Sequence, residues 1–280
     1  MKALTFLARR FVAGDNVDQA LEQVRRLNKE GLKVTLDNLG EDCLNRQQAA
    51  AARDEYLHML KRIAEEKLDC NVSLKLTQFG LNLDGGLARD NLSLVAAQAR
   101  KLGNFVRLDM EGSAYTQKTL DLFYELFPHY PDMGIVLQAY LRRSEDDAKL
   151  AVAKGVRVRL CKGAYKEPAD IAFPDKEEVN ENYDKLSRIL VKAPIPAFAT
   201  HDDARIAAAA AAAQEAGLPK EKYEVQMLYG LRSKRWRELR DQGHTVRVYM
   251  PYGTHWFPYF YRRVRERKEN LLFVVRNLFE

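Results

Sequence analysis

The chain has 280 residues, of which 46% are hydrophobic and 30% charged, an ordinary globular composition. No apolar run approaches the roughly 20 residues needed to span a bilayer, so the sequence reads as soluble, or at most peripheral on a membrane. A net charge of +6 suits an anionic small ligand, nucleic acid or an anionic membrane surface, and selects none of them. In chain order, residues 4–8 are too short an apolar core for an export signal, because Arg9 and Arg10 interrupt it at once. Residues 1–30 read as a helical segment with Val17, Leu21, Val24 and Leu27 on one stripe and Gly31 as its stop.

Strand and helix patterns then alternate. Strands are predicted over 32–39, running on to Gly40 and Glu41; over 72–76, with Lys75 among apolar neighbours; over 105–110, with Asp109; and over 135–139, with Gln138. The series continues over 156–161 with Arg159, over 195–199 leading to Thr200 and His201, over 223–228 with Gln226, and over 245–250 with Tyr249. Helical patterns at about 45–68, 91–102, 116–127 and 203–216 separate them, the last an alanine run that stops at Gly217 and Pro219. Residues 177–190 look like a helix added within an unusually long fifth unit. The final strand should break at Pro251 and Gly253, and a helix should follow with Pro258 in its first turn.

Eight short apolar strands, each followed by a helix, predict an α/β fold with parallel strands closed into a (βα)8 TIM-type barrel over residues 31–280, preceded by extra N-terminal helices in 1–30. An open doubly wound sheet would carry a glycine-rich first turn, and no GxGxxG follows any strand. No Gly/Ser/Pro-rich linker divides the chain, so it reads as one domain. Cys43, Cys70 and Cys161 are odd in number and match no metal or redox spacing, which fits reduced thiols in a cytoplasmic setting.

In such a barrel the chemistry collects at the carboxyl ends of the strands. Glu41, Lys75, Asp109, Gln138, Arg159, Lys162, His201, Gln226 and Tyr249 all fall at or just past those ends. A charge inside an apolar strand needs a partner, so any one of them could be an internal salt bridge. Taken together, Lys75, Arg159, Lys162, Arg262 and Arg263 outnumber Glu41, Asp109 and Glu266, and that excess asks for an anionic ligand. On the last helix Tyr259, Arg262, Arg263 and Glu266 share a face, and paired guanidinium forks suit a carboxylate or phosphate; a solvated basic helix is the plainer alternative. Gly163 in RLCKGAY permits close approach of a phosphate or a flat ring. His201 stands alone, more in keeping with a structural hydrogen bond, and no HExxH-type grouping exists, so no metal is expected.

The run RVYMPYGTHWFPYFYRRVRERKENLLF, together with RLCKGAY, FATHD, VQMLYG, VRLDMEG, VSLKL and DNLGE, resembles the proline dehydrogenase family, both monofunctional bacterial enzymes and the matching domain of the bifunctional proline utilisation A proteins. The resemblance implies a distorted (βα)8 barrel that binds FAD and oxidises L-proline to 1-pyrroline-5-carboxylate. It implies that Arg262 and Arg263 clamp the substrate carboxylate with help from Lys75, and that Leu160, Tyr249 and Tyr259 pack around the ring. Arg159 matches the arginine at flavin N5, and Asp109 an acidic residue regarded as catalytic. Met110, Gln138, Lys162, Gly163, Ala164, Thr200 and His201 match positions that hold the cofactor, and Glu41 one whose ion pair closes the site, with Glu266 as support. The family's acceptor is a membrane quinone, which makes peripheral contact with the inner membrane face plausible. A separate pyrroline-5-carboxylate dehydrogenase would act as pathway partner, since no aldehyde-oxidising or DNA-binding segment is recognisable. Lys166 departs from relatives with an aromatic there, and the amino-terminal helices look short.

Competing readings are a flavin barrel resembling methylenetetrahydrofolate reductase, an aldolase using Lys75 or Lys162 as a Schiff-base amine, and a nucleic-acid-binding basic helix. The arginine pair speaks against the first. A yellow protein bleached by L-proline would exclude the second, and missing stacking or groove-reading motifs disfavour the third.

Overall fold

The structure is a computed structural model that describes residues 10–40, 42–257 and 259. Eight parallel strands close into a barrel in sequence order: β1 (Lys33–Asn38), β2 (Cys70–Leu74), β3 (Val106–Leu108), β4 (Met133–Gln138), β5 (Arg157–Cys161), β6 (Ala197–Ala199), β7 (Glu224–Leu228) and β8 (Thr245–Tyr252). Helix α1 (Val17–Lys29) precedes β1. Crossover helices follow seven of the strands: α2 (Arg46–Glu65), α3 (Gly85–Lys101), α4 (Ser113–Leu126), α5 (Ser144–Ala153), α6 (Lys176–Leu190), α7 (Asp203–Glu215) and α8 (Ser233–Asp241). After β8 the chain turns at Gly253 and is helical at Trp256, Phe257 and Tyr259. The barrel expected from the alternating pattern is therefore the barrel found.

Four local expectations change. The helical segment begins only at Val17, where the Asn16 side chain caps it by accepting the Gln19 N–H at 3.0 Å. Residues 10–16 instead run as a strap across the carboxyl end of the barrel, with Ala13 N–H donating to the Pro251 carbonyl and Gly253 N–H to the Gly14 carbonyl, both at 2.8 Å. Residues 1–9 lie outside the described part. The last strand does not break at Pro251 but pairs with β1 through Tyr252. Proline withholds only its own N–H, and the Leu39 N–H still reaches the Tyr252 carbonyl at 2.8 Å. Finally, α6 is the crossover helix of the fifth unit rather than an addition to it, and a loop over residues 162–175 accounts for the extra length. Helix α3 starts earlier than its pattern suggests, because the Asp84 side chain accepts the Gly86 N–H and so offsets the poor helix propensity of Gly85 and Gly86.

Alternate strand residues point to opposite faces. Val34, Leu36, Val72, Leu74, Val158 and Leu160 belong to the apolar layer between strands and helices, while the interior is polar and buried. At the amino-terminal end Arg247 forms a two-pronged pair with Glu224, Nε–Oε2 and Nη2–Oε1 both 2.9 Å. Arg107 lies fully buried, donating to the carbonyls of Ile135 at 3.0 Å and Arg157 at 2.6 Å. Gly134 makes that possible, since a Cβ there would stand 2.7 Å from the Arg107 Nη1. The Phe105 ring is flanked by the Arg107 and Arg157 guanidinium groups, 4.8 and 3.9 Å from its centroid. This charged floor closes the barrel beneath the mouth.

Candidate active site

The inward positions nearest the carboxyl end come from β1, β2, β3, β5 and β8, and each brings a polar side chain to one point. Lys75, just past β2, donates to both oxygens of Asp37 on β1 at 2.8 and 3.0 Å, and reaches Asp109 Oδ2 at 3.5 Å. Asp109, just past β3, is the hub. Its Oδ1 accepts from Arg159 Nη2 and from Ser73 Oγ, the latter at 2.5 Å, and its Oδ2 accepts from the Tyr249 hydroxyl at 2.7 Å. The Arg159 guanidinium also lies over the Tyr249 ring, 5.0 Å from its centroid. Of the candidate residues named from sequence, the fold brings Lys75, Asp109, Arg159 and Tyr249 into direct contact.

Asp37, Lys75, Asp109 and Arg159 are buried and Tyr249 is half-buried, and burial works against every charge among them. For Asp109 the Arg159 and Lys75 cations outweigh it and hold the carboxyl below its usual range. For Asp37 burial wins, and with the Asp109 charge nearby its carboxyl is pushed up despite Lys75. Burial would lower Lys75, yet Asp37 and Asp109 together drive its affinity for a proton well up, so it remains an ammonium. The Tyr249 phenol is raised by burial and by both carboxylates, and stays a donor.

A second group lies on the β5 to β7 side. Lys162 donates to Asn180 Oδ1 at 2.6 Å and to Asp202 Oδ2 at 2.8 Å. The Thr200 hydroxyl accepts the Asp202 N–H at 3.1 Å. His201 Nε2 accepts the Leu228 N–H at 2.9 Å, which places the ring proton of a neutral imidazole on Nδ1. Gln138 Nε2 donates to the carbonyls of Met110 and Glu111 at 3.3 and 3.4 Å, and its buried Oε1 has no donor among the described residues. Gln226 Nε2 donates to Glu224 at 2.7 Å, and among the described residues its buried Oε1 is likewise without a donor. At Lys162 opens a cavity of about 360 Å³, its wall including Tyr140, Lys162, Gly163, Lys166, Glu167, Phe173 and Lys176.

Leu160 is fully buried in the apolar layer outside the strands, and Met110 is buried. Ala164 lies part-exposed in the loop after Gly163. Tyr259 packs with Phe11, Val12 and Leu39 under the amino-terminal strap. Glu41, Arg262, Arg263 and Glu266 lie outside the described residues. The expected excess of positive charge is not found among the described groups of the mouth, where Asp37 balances Lys75, Asp109 balances Arg159 and Asp202 balances Lys162. Asp37 and Asp202 were missed by counting only the more conspicuous residues; Asp37 in VTLDNL carried the same signal as Lys75 in VSLKL, a charge alternating with apolar residues in a strand. Glu111 was also missed: buried, it accepts from the Thr77 hydroxyl at 2.5 Å and the Thr77 N–H at 3.2 Å, and burial pushes its carboxyl up to about 7 against those bonds. Among the described residues no group of three or more His, Cys, Asp or Glu is placed to hold a metal ion, and no helix is long and apolar enough to cross a membrane.

Comparison with known proteins places this geometry in a family. The proline dehydrogenase family model matches residues 20–276. Proline dehydrogenase 1 of Bacillus subtilis subsp. natto is 40% identical over 272 residues, covering 97% of this chain and 90% of the relative. The proline dehydrogenase of Deinococcus radiodurans is 35% identical over 278 residues, with coverage of 97% and 90%. The solved structure of proline utilization A from Bdellovibrio bacteriovorus, inactivated by N-propargylglycine, is similar with a TM-score of 0.88 and 28% identity, over 94% of this chain and 33% of that one. A family match across most of the chain, relatives aligned over nearly their whole length and a shared barrel agree: the chain belongs to the proline dehydrogenase family.

Proposed function

We propose that the enzyme oxidises L-proline to 1-pyrroline-5-carboxylate, with FAD as the hydride acceptor at flavin N5 and a membrane quinone as the onward acceptor. The observation that carries this reading is the cluster of buried Lys75, Asp37, Asp109 and Arg159 with half-buried Tyr249 at the carboxyl mouth of the barrel. The residues fit a flavin. Among the described residues Gln138 and Gln226 each keep a buried oxygen without a donor, such as the edge of an isoalloxazine would supply, and the cavity wall carries Lys162, Lys166 and Lys176 against Glu167, a positive excess that suits a diphosphate even with Lys162 paired to Asp202. Gln138, Arg159, Lys162, Gly163, Ala164, Met110, Thr200 and His201 are the proposed holding residues. Bound there, FAD supplies the two-electron oxidant.

The chain's own groups supply position and charge. Asp109 fixes Arg159 from one oxygen and Tyr249 from the other, so a guanidinium stands where negative charge would grow and costs no reorganisation when it does. Lys75, held protonated by Asp37, offers a third cation toward the substrate carboxylate; an ammonium so held is unsuited to Schiff-base chemistry, which weighs against an aldolase. Arg262 and Arg263 are the proposed carboxylate clamp, and Tyr249 and Tyr259 the proposed walls for the ring. Glu41 and Glu266 are the proposed gate and support. Transfer of electrons to quinone would bring the protein to the inner face of the membrane, and the product would pass to a pyrroline-5-carboxylate dehydrogenase.

The test is anaerobic titration of the purified protein with L-proline while the flavin spectrum is followed, in the parent and in Arg262→Ala and Arg263→Ala variants. The parent should be yellow and bleach, and each variant should need about tenfold more proline or beyond, as loss of a charged hydrogen bond implies. A colourless protein that takes up no FAD, or variants reduced as readily as the parent at low proline, would overturn the reading.

A further inference from the structure

We propose that Glu167 is a positioning residue that locks the loop after β5 into the shape in which it receives the cofactor; the inference rests on the flavin reading above. Helix α4 begins after Gly112, which has no side chain with which to cap it. The first N–H groups of a helix need an acceptor, and here it arrives from 54 positions along the chain. Glu167 Oε1 accepts the Ser113 N–H at 2.7 Å, and Oε2 accepts the Ser113 hydroxyl. Its carboxylate also faces the positive end of the helix dipole. The Tyr140 hydroxyl lies 3.5 Å from Oε1, so one side chain touches the third, fourth and fifth barrel units.

The remaining bonds show what this contact does for the loop. Both limbs of residues 162–173 are clamped to the end of β4: Tyr140 N–H donates to the Lys162 carbonyl and Phe173 N–H to the Tyr140 carbonyl, each at 2.8 Å. Arg142 N–H donates to the Ile171 carbonyl at 3.0 Å, and Leu141 bridges Ala172. Between those limbs the chain turns at Gly163 with φ of +115°, and the Tyr140 ring occupies the space a side chain would need, a Cβ there standing 2.2 Å from its Cδ1. Between its clamped limbs the tip, Ala164 to Lys166, is met at the Tyr165 backbone by the Tyr140 side chain and is set further by an anchor on its far side. Glu167 is that anchor, and it ties the tip to α4. The same tip bears Lys166 on the wall of the 360 Å³ cavity, where Glu167 stands beside it. Holding the loop in its receiving shape before the cofactor arrives removes an ordering cost from binding.

If Glu167 only capped α4, its loss would lower thermal stability and leave the cofactor alone. The experiment therefore compares the holoenzyme of the parent, Glu167→Ala and Glu167→Gln in two measurements: the dissociation constant for FAD from flavin fluorescence on dilution, and the rate of tryptic cleavage after Lys166 relative to the rate in the same chain unfolded in urea, which cancels the effect of changing the residue that follows the cut bond. Glu167→Ala should bind FAD about tenfold more weakly and be cut after Lys166 about tenfold faster, with turnover at saturating FAD within about twofold of the parent. Glu167→Gln, which keeps one acceptor for the Ser113 N–H, should recover most of both. Unchanged FAD affinity and unchanged cleavage in Glu167→Ala, whatever its melting temperature, would overturn the proposal. If the parent itself binds no FAD, the flavin reading fails, while the cleavage rate still reports whether Glu167 holds the loop.

Discussion

Asp109 shows how one carboxylate organises a site. Its two oxygens take four donors, from Arg159, Ser73, Tyr249 and Lys75, so a buried charge that would otherwise be prohibitive becomes a frame for four other side chains. Asp37 does for Lys75 what Asp109 does for Arg159, at a position with no solvent exposure at all. Asp37→Asn should leave Lys75 with Asp109 alone, at 3.5 Å, and breaking a buried pair in this way costs about 3–5 kcal/mol of folding stability. Urea denaturation at neutral pH checks this, and a loss below about 1 kcal/mol would mean that solvent reaches Lys75. Tyr249→Phe is milder. It removes one donor from an ionised acceptor and should cost about 1.5–3 kcal/mol, read by the same method.

At the scale of elements, the amino-terminal strap and the end of β8 depend on each other. Alternating apolar residues form β8, and Pro251 withholds an N–H without ending the ladder, so its carbonyl remains free to take the Ala13 N–H. Helix α1 packs against β1 and β8, the outer position a helix after the last strand would ordinarily take. The chain after β8 accordingly turns across the mouth, where Tyr259 meets Phe11, Val12 and Leu39. Gly230, after β7, is the third part of this junction: its φ is +77°, and a Cβ there would stand 2.0 Å from the Arg10 carbonyl oxygen. Gly230→Ala should displace the strap, because backbone cannot rotate out of the way, and the left-handed conformation adds about 1–2 kcal/mol of strain. Faster tryptic cleavage after Arg10 with a lowered melting temperature is the expected signature; cleavage at the parent rate would show that the strap gives way without detaching.

Across the whole molecule, buried ionisable groups set the pH range of stability, and two glutamates act in opposite directions. Burial opposes the charge on Glu224, but Arg247 overcomes it and holds the carboxyl down at about 2 from the usual 4.5. That contribution is present above pH 4.5 and lost as pH falls toward 2, so acid should unfold the barrel from its floor. Glu111 is raised from 4.5 to about 7 by burial. The unfolded chain releases this proton first, so stability is full below pH 4.5 and declines as pH rises through about 7, by on the order of 3 kcal/mol. Glu111→Gln should remove the decline, gaining stability relative to the parent between pH 5 and pH 8 in denaturant titrations. A variant whose stability tracks the parent across that range would show that Glu111 is ionised throughout.

The strand count, the parallel order and the identity of Lys75, Asp109, Arg159 and Tyr249 as mouth residues follow from local pattern, since a period of two in each strand fixes which residues face inward and the barrel rule fixes which end they occupy. Family membership was equally legible, because the motifs of one family stand here in that family's order. The charge balance was not legible. Whether Lys75 meets a ligand or Asp37 depends on the register of two strands 38 positions apart, which no local pattern encodes. The Glu167 cap on α4, the strap over β8 and the placing of Leu160 outside the strands likewise came from contacts between distant segments, where tertiary packing chooses among conformations that each segment alone leaves open. Local sequence thus determined the elements and the inward residues, and long-range closure of the barrel decided which of those residues neutralise one another.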